Sequence, residues 1–339
     1  MFSKVPSGHR DAVRSFWLVG LFALLGLLVV LSIVVGTRDV GTDDIWAALN
    51  GQTETIGQSA IAVRIPRMVL AVLAGGALAL AGAVMQGVTR NPLADPGILG
   101  VNSGASLAVV LGVAWFGISS PEAYFWSALL GAAVTTLFVY AVGSLGPGGA
   151  TPLKLTLAGA ATSVACVSLF IAVILPLNDI AGGIQTWLIG GVGGATFHRI
   201  VPVLPFFAAG LLISLLSAHK LNSLALGDDL AAGLGDNVAL SRIIASVGAV
   251  LLCAAATALC GPIIFLGLMV PHLLRLMTGV DYRWLLPLST LGGACFLLFA
   301  DTLGRVVARP DEIEVSIITA LFGAPIFIWI VRRQKVREL

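Results

Sequence analysis

Charged residues are scarce in this chain of 339 residues, since Asp, Glu, Lys and Arg together make up only 11%. Soluble domains carry about 25% charged residues, so this sequence cannot cover a water-facing surface. Hydrophobic residues make up 58%, which excludes an intrinsically disordered chain. The apolar runs are long and unbroken rather than alternating, which excludes a β-barrel. The composition therefore predicts an all-α polytopic membrane protein.

Signatures of catalysis and of metal binding are also missing. None of the four lysines follows a glycine, so the chain lacks the G-K-[S/T] of a phosphate-binding loop and cannot hydrolyse ATP alone. The four histidines are scattered, and the four cysteines lie singly inside apolar runs. The 19 basic and 17 acidic residues give no nucleic-acid signature. We expect no enzyme activity, no metal, no cofactor and no nucleic-acid partner.

Ten apolar stretches approach the roughly 20 residues that a helix needs to cross ~30 Å of hydrocarbon. The charge-free stretch 243–271 is too long for one span; it is broken by Gly261-Pro262 and is divided into two spans. The predicted spans are 16–37, 68–89, 101–121, 123–153, 155–178, 200–218, 242–260, 263–277, 284–300 and 315–331. Residues 1–339 are expected to form a single transmembrane domain.

The distribution of Lys and Arg sets the predicted orientation. An even number of spans puts both termini on the same side. With the N-terminus inside, 13 Lys and Arg residues fall in inner segments and 6 in outer segments. Because positive charge favours the cytoplasmic side, both termini are expected in the cytoplasm.

Two loops rich in glycine or proline, residues 89–100 and 180–199, are unlike ordinary hairpins. Irregular backbone at membrane depth occurs only where it is buried in protein or lines a wet cavity. No acidic residue lies near the centre of a predicted span, since Asp95 falls in the first loop and Asp301 at a span end. This disfavours proton-coupled transport without excluding it.

The predicted inner segment 221–235 is amphipathic and too short to span the membrane. Its leucines alternate with small residues, and Asp228-Asp229 would suit the positive end of a short helix dipole. Two interpretations stay open: docking into a groove of a cytoplasmic partner, or a short helix at the membrane surface without a partner.

Three arginines at the predicted outer side run against the positive-inside tendency: Arg64, Arg67 and Arg305. One interpretation is contact with lipid phosphates by snorkelling side chains. The other is capture of carboxylates on an extracytoplasmic protein, which suits the bidentate guanidinium.

Several short sequence motifs of this chain match those of a known protein family. In chain order they are Arg64-Ile65-Pro66-Arg67, Gly82-Ala83-Val84-Met85-Gln86, Asn91-Pro92-Leu93-Ala94-Asp95-Pro96-Gly97, residues 224–235, Gly261-Pro262, Gly267-Leu268-Met269-Val270-Pro271-His272, Ala300-Asp301-Thr302-Leu303-Gly304-Arg305 and Gly323-Ala324-Pro325. In these strings the chain closely resembles the FecCD family, the permease subunits of ATP-driven importers for iron–siderophores, haem and cobalamin. The resemblance covers nearly the whole chain after about residue 60.

The resemblance implies a type II ABC importer permease fold with about ten transmembrane helices. It also implies a second FecCD-type permease subunit, with the translocation path between the two. Two ATPase subunits, which bind ATP and Mg²⁺, would attach on the inner side. An extracytoplasmic siderophore-binding protein would dock on the outer side.

The resemblance further assigns roles by position. Arg64, Arg67 and Arg305 match arginines that contact acidic residues of the binding protein. Asn91 and Leu93 match a loop that narrows the inner exit of the path. The segment 221–236 matches the ATPase-coupling helices, with contact residues Leu224, Leu226, Gly227, Asp228, Asp229, Ala232, Leu234 and Gly235.

One departure from the family pattern bears on the substrate. Many members read E-L-P-V-G before the last helix, whereas this chain reads Glu312-Ile313-Glu314-Val315-Ser316. This resembles ferric enterobactin-type permeases and favours an iron(III)–siderophore substrate and a heterodimeric permease. Haem or cobalamin import remains the alternative within the family. From other classes, an ion-coupled secondary transporter or a membrane-bound structural subunit stays open.

Overall fold

The computed structural model describes residues 7–38, 40–146, 151–176 and 187–333. Residues 177–186, which include the first part of the predicted glycine-rich loop, and the basic tail 334–339 lie outside the described residues. The described chain is helical and contains no strand. Its helices are α1 (Ser7–Val34), α2 (Thr42–Leu49), α3 (Ile56–Thr89), α4 (Val101–Phe116), α5 (Pro121–Gly143), α6 (Pro152–Ile174), α7 (Phe197–Ile200), α8 (Leu204–Leu216), α9 (Ala218–Ala225), α10 (Asp228–Gly233), α11 (Val238–Cys260), α12 (Leu266–Thr278), α13 (Tyr282–Val307) and α14 (Val315–Arg333).

The predicted polytopic all-α fold is confirmed. Within the described residues, seven helices or helix pairs are long and apolar enough to cross a membrane. Three shorter apolar helices, α4, α12 and α14, occupy the three remaining predicted spans. The boundaries differ most at α3, which begins at Ile56 and not at 68. They also differ at α5, which ends at Gly143 and not at 153.

Helix α3 is the centre of the bundle. In its most apolar stretch 78% of the residues are buried inside the chain, against 11% for α1 and for α6. Small residues allow this close packing, because Gly75 faces the Gly293 backbone of α13 and Gly82 faces the Gly267 backbone of α12. The outer faces of α1 and α6 are therefore left for lipid or for another subunit.

Side-chain caps fix where several helices begin. Thr55 and Gln58 form a capping box at the start of α3, in which each side chain accepts from the other residue's backbone N–H. Asn237 caps α11, and Asp281 caps α13. The Asp281 carboxylate also accepts hydrogen bonds from Arg283 and Asn222, and these hold its pKa below its usual range.

Long-range contacts define two ends of the bundle. At the N-terminal end, Arg14 of α1 donates to Thr278 O and pairs with Asp281. Asn222 of α9 donates to the same Asp281 at 2.8 Å, so α9 lies at this end too. At the opposite end, the last turn of α1 contacts Arg64 and Arg305. The arginine set and the segment 221–236 therefore lie at opposite ends, as the sequence predicts.

Candidate functional sites at the two ends of the bundle

Arg64, Arg67 and Arg305 come together at the opposite end. All three line one cavity of about 490 Å³, together with Arg38 and residues of the α2–α3 connection. Their side chains nevertheless lie inside the bundle, with residue exposures of 5%, 7% and 2%. The cavity lining also includes the carboxylates of Glu54 and Glu312.

Two carboxylates pair with these arginines. Asp301 Oδ1 accepts from Arg67 Nε at 2.7 Å, and Asp301 Oδ2 lies 3.1 Å from Arg305 Nε. Glu312 Oε2 accepts from Arg67 Nη1 at 2.5 Å. The Asp301 side chain is fully buried, whereas that of Glu312 is 40% exposed. Asp301 thus compensates two buried cations, and Glu312 covers Arg67 from the cavity side.

Arg64 and Arg305 also bind the end of α1. Arg64 Nη1 donates to Ile33 O at 2.8 Å, and Arg305 Nη1 donates to Ser32 O at 3.0 Å. The last carbonyls of a helix lack intrahelical donors and carry partial negative charge. The arginines therefore have internal contacts that the sequence did not indicate, and their role in docking stays a prediction.

A second cavity of about 250 Å³ lies at the same end and is lined by Trp187, Gly191 and Glu314 among others. Ser316 Oγ donates to Ile189 O, and the Glu314 carboxylate packs against Gly191. Burial raises the pKa of Glu314, and Arg67 opposes that rise. Of the three residues that depart from the E-L-P-V-G pattern, Glu314 and Ser316 thus both contact residues 189–191.

At the N-terminal end, α9 and α10 form a bent pair of short helices. Gly227 bends the chain between them with φ +111°, a conformation that side chains disfavour. Leu226, Leu230 and Leu234 are 58%, 62% and 67% exposed. We call these three residues the leucine ridge. Such a row of exposed leucines on a polar segment is typical of a docking surface.

The other predicted coupling residues divide between surface and core. Leu224 is 1% exposed and packs in the main core, so it anchors the segment and does not form part of the ridge. Asp229, Ala232 and Gly235 are exposed. Asp228 pairs with Arg90 and Arg242 at 3.0 and 2.7 Å.

The loop after α3 carries Asn91 and Leu93 at the N-terminal end. Asn91 Oδ1 accepts from Leu93 N at 3.0 Å, which closes a tight turn. Asp95 Oδ1 accepts from Gly97 N at 2.8 Å. Burial raises the pKa of Asp95 to about 6, and the Gly97 hydrogen bond opposes that rise.

Sequence reasoning missed the carboxylate partners of the arginines. The i, i+4 spacing of Asp301 and Arg305 was an available signal for one ion pair. Glu312 gave no such signal, since it lies 245 residues from Arg67 in the chain. Gln86 accepts a hydrogen bond from Arg275 at 2.7 Å, a contact that its sequence motif does not indicate.

Comparison with known proteins decides the family. The FecCD transport family matches residues 24–333. The chain belongs to the FecCD transport family.

Relatives of this FecCD protein share its full length. The ferric enterobactin transport system permease protein FepD of Escherichia coli (strain K12) is 42% identical over 97% of this chain and 98% of its own. The probable siderophore transport system permease protein YfiZ of Bacillus subtilis (strain 168) is 40% identical over 93% and 95%. The hemin transport system permease protein HmuU of Yersinia pestis is 36% identical over 92% and 96%.

A solved structure shares the fold of this FecCD protein. A metal-chelate type ABC transporter in an inward-facing conformation matches with a TM-score of 0.81 and 30% identity, covering 94% of this chain and 99% of its own.

Proposed function

We propose that this chain is the transmembrane permease subunit of an ATP-driven importer that moves an iron(III)–siderophore across the bacterial cytoplasmic membrane. The observation that carries the proposal is the leucine ridge, an exposed apolar surface on a non-spanning segment of a FecCD-family protein. An importer of this family takes its energy from a separate ATPase, which would cover that surface. The ATPase subunits would bind ATP and Mg²⁺, and the permease needs no cofactor of its own.

The proposed orientation puts the N-terminal end and both termini in the cytoplasm. The opposite end then faces outward, where the arginine cavity receives acidic side chains of a siderophore-binding protein. Arg67 is the best placed of the three arginines for this, because its Glu312 partner is partly exposed and can be displaced. Bidentate binding of carboxylates by arginine supports this assignment.

The path would run between this chain and a second FecCD-type permease, for which we favour a homologue over an identical copy. The poor burial of α1 and α6 within the chain leaves the outer faces of these two helices available for such a subunit interface. The loop with Asn91 and Leu93 would narrow the inner exit. ATP-driven closure of the ATPases would move α9 and α10, and the bundles would rock to expose the path to each side in turn.

Iron would stay inside its chelator, so specificity would come largely from the binding protein. Of the alternatives within the family, haem import is supported by one relative at 36% identity. Two relatives named for siderophore transport, at 42% and 40% identity, support a siderophore as the substrate.

Uptake by liposomes that contain the whole complex tests the proposal. Radiolabelled ferric siderophore is offered with its binding protein outside, and ATP is enclosed with the ATPase subunits. We expect uptake that requires ATP and persists when an ionophore dissipates the proton gradient. Uptake that needs the gradient and not the ATPase would establish the secondary-transporter alternative. Competition by unlabelled haem or cobalamin would reassign the substrate.

A further inference from the structure

A single carboxylate at the N-terminal end connects three helices. Asp228 Oδ1 lies 2.7 Å from Arg242 Nη2 and 3.0 Å from Arg90 Nη2. Asp228 is the first residue of α10, Arg90 directly follows α3, and Arg242 lies near the start of α11. The short helix α10, which contains Leu230 of the leucine ridge, is thus bonded through one side chain to Arg90 at the end of α3 and to Arg242 of α11.

Arg90 has an unusual backbone conformation. Its φ is +52°, in the left-handed region that non-glycine residues rarely adopt. In this conformation its N–H bonds to Gly87 O and ends α3, and Asn91 follows at once. Such conformations persist where the surrounding structure holds them. The side-chain bond to Asp228 is therefore placed to hold the turn from which the loop 91–95 begins.

The two arginine side chains differ in exposure. Arg242 has a side chain only 7% exposed, so its cation depends on Asp228 for compensation. The Arg90 side chain is 36% exposed. A displacement of α10 would therefore act on α11 through the buried Arg242 contact and on the end of α3 through the more exposed Arg90 contact.

We propose that Asp228 and Arg90 are positioning residues that transmit movement of α10 to the loop with Asn91 and Leu93. The inference rests on the proposed function, in which an ATPase moves α10 and this loop narrows the path. Because a partly exposed ion pair contributes little to stability, a purely structural role for Arg90 predicts almost no effect of its removal. A positioning role predicts a stable protein whose loop no longer responds to nucleotide.

The accessibility of the loop can be measured as the labelling rate of a thiol introduced by Leu93→Cys. All four native cysteines are buried, so labelling by a hydrophilic maleimide should come mainly from the reporter. The full complex with its ATPase subunits is labelled with and without ATP. Arg90→Gln is then added to the reporter. Lys220→Gln serves as the matched control, because it removes the same charge from neighbouring α9.

We expect ATP to change the labelling rate in the reporter alone and in the Lys220→Gln control. In Arg90→Gln the ATP-dependent change should fall about fivefold or more, as for the loss of a typical coupling. Binding of the ATPase subunits and the melting temperature should stay unchanged, and Arg90→Lys should restore part of the response. A full ATP response in Arg90→Gln would overturn the proposal.

A double-mutant cycle supplies the second measurement. Combining Arg90→Gln with Asp228→Asn should reduce the response no further than Asp228→Asn alone, because Asp228→Asn already breaks the contact with Arg90 together with that with Arg242. Additive losses would contradict the link. Uptake by the same complex distinguishes this inference from the proposed function. If the unsubstituted complex shows no ATP-driven uptake, the proposed function is contradicted. A retained loop response in Arg90→Gln contradicts only the positioning role.

Discussion

Asp301 of α13 binds Arg67 of α3 with an Oδ1–Nε distance of 2.7 Å, and its side chain is fully buried. The same carboxylate lies 3.1 Å from Arg305. Removing one partner of a buried ion pair leaves an uncompensated charge and costs about 3–5 kcal/mol.

Asp301→Asn should therefore destabilise the protein strongly, and its melting temperature in detergent should fall. The control is Asp311→Asn, which removes a carboxylate from the exposed loop before α14. Equal melting temperatures for the two variants would show that the Asp301 charge is not needed to balance the arginines.

Glu312 is expected to compete with the binding protein for Arg67. Glu312→Gln removes the charge that pairs with Arg67 at the cavity side. An exposed or partly exposed pair of this kind is worth about 0.2–1 kcal/mol, so docking should tighten up to about fivefold. Surface plasmon resonance of the binding protein on the immobilised permease measures this.

The matched control for docking is Glu54→Gln, because Glu54 lines the same cavity. If both variants tighten docking equally, the gain reflects net charge alone and not the release of Arg67. Weaker docking in Glu312→Gln would show that the partner binds Glu312 itself.

The contact between α3 and α12 should not tolerate a side chain at Gly82. A methyl group there would overlap the Gly267 carbonyl oxygen, so the two backbones must separate. Overpacking of this kind costs about 1–3 kcal/mol, and sometimes more. Gly82→Ala should lower the melting temperature, whereas Gly26→Ala, with open space around it, should not. Unchanged stability in Gly82→Ala would contradict the close crossing.

Asp95 should make stability depend on pH. Its pKa is about 6 in the folded chain, against 3.8 without burial. The folded state therefore holds a proton that the unfolded state has lost, and stability falls as pH rises between about 4 and 6. The total effect is at most about 3 kcal/mol.

Asp95→Asn should flatten this slope, since the amide stays neutral and its oxygen still accepts from Gly97. Melting temperatures measured across that pH range compare it with Asp43→Asn, which changes an exposed carboxylate at the other end. An unchanged slope in Asp95→Asn would assign the pH dependence to another group.

Hydropathy was sufficient to locate the spans, because backbone groups in lipid must be satisfied within a helix and only long apolar segments can do this. Hydropathy placed the start of α3 too late, because a predicted apolar span was ended at the nearest charged residue, here Arg67. Arg64 and Arg67 are nevertheless inside the helix, where Asp301 and carbonyls of α1 compensate them. Those partners are far away in sequence and have no local signal.

The segment 221–236 shows a second limit of prediction from sequence. Leu224 and Leu226 have the same chemistry two positions apart, and sequence pattern assigned both to the docking surface. The bend at Gly227 and the packing of α9 bury Leu224 and expose Leu226. Only the tertiary contacts of α9 distinguish them.

The leucine ridge gives the most direct test of the account. The three ridge leucines are changed together to serine, and affinity for the purified ATPase subunit is measured in detergent. Each buried leucine contributes about 1.5–3 kcal/mol, so affinity should fall by more than about 100-fold. The melting temperature of the triple variant should stay unchanged, because these side chains are exposed. Undiminished binding of the ATPase to a folded triple variant would contradict the claim that this permease takes its energy from an ATPase at this surface.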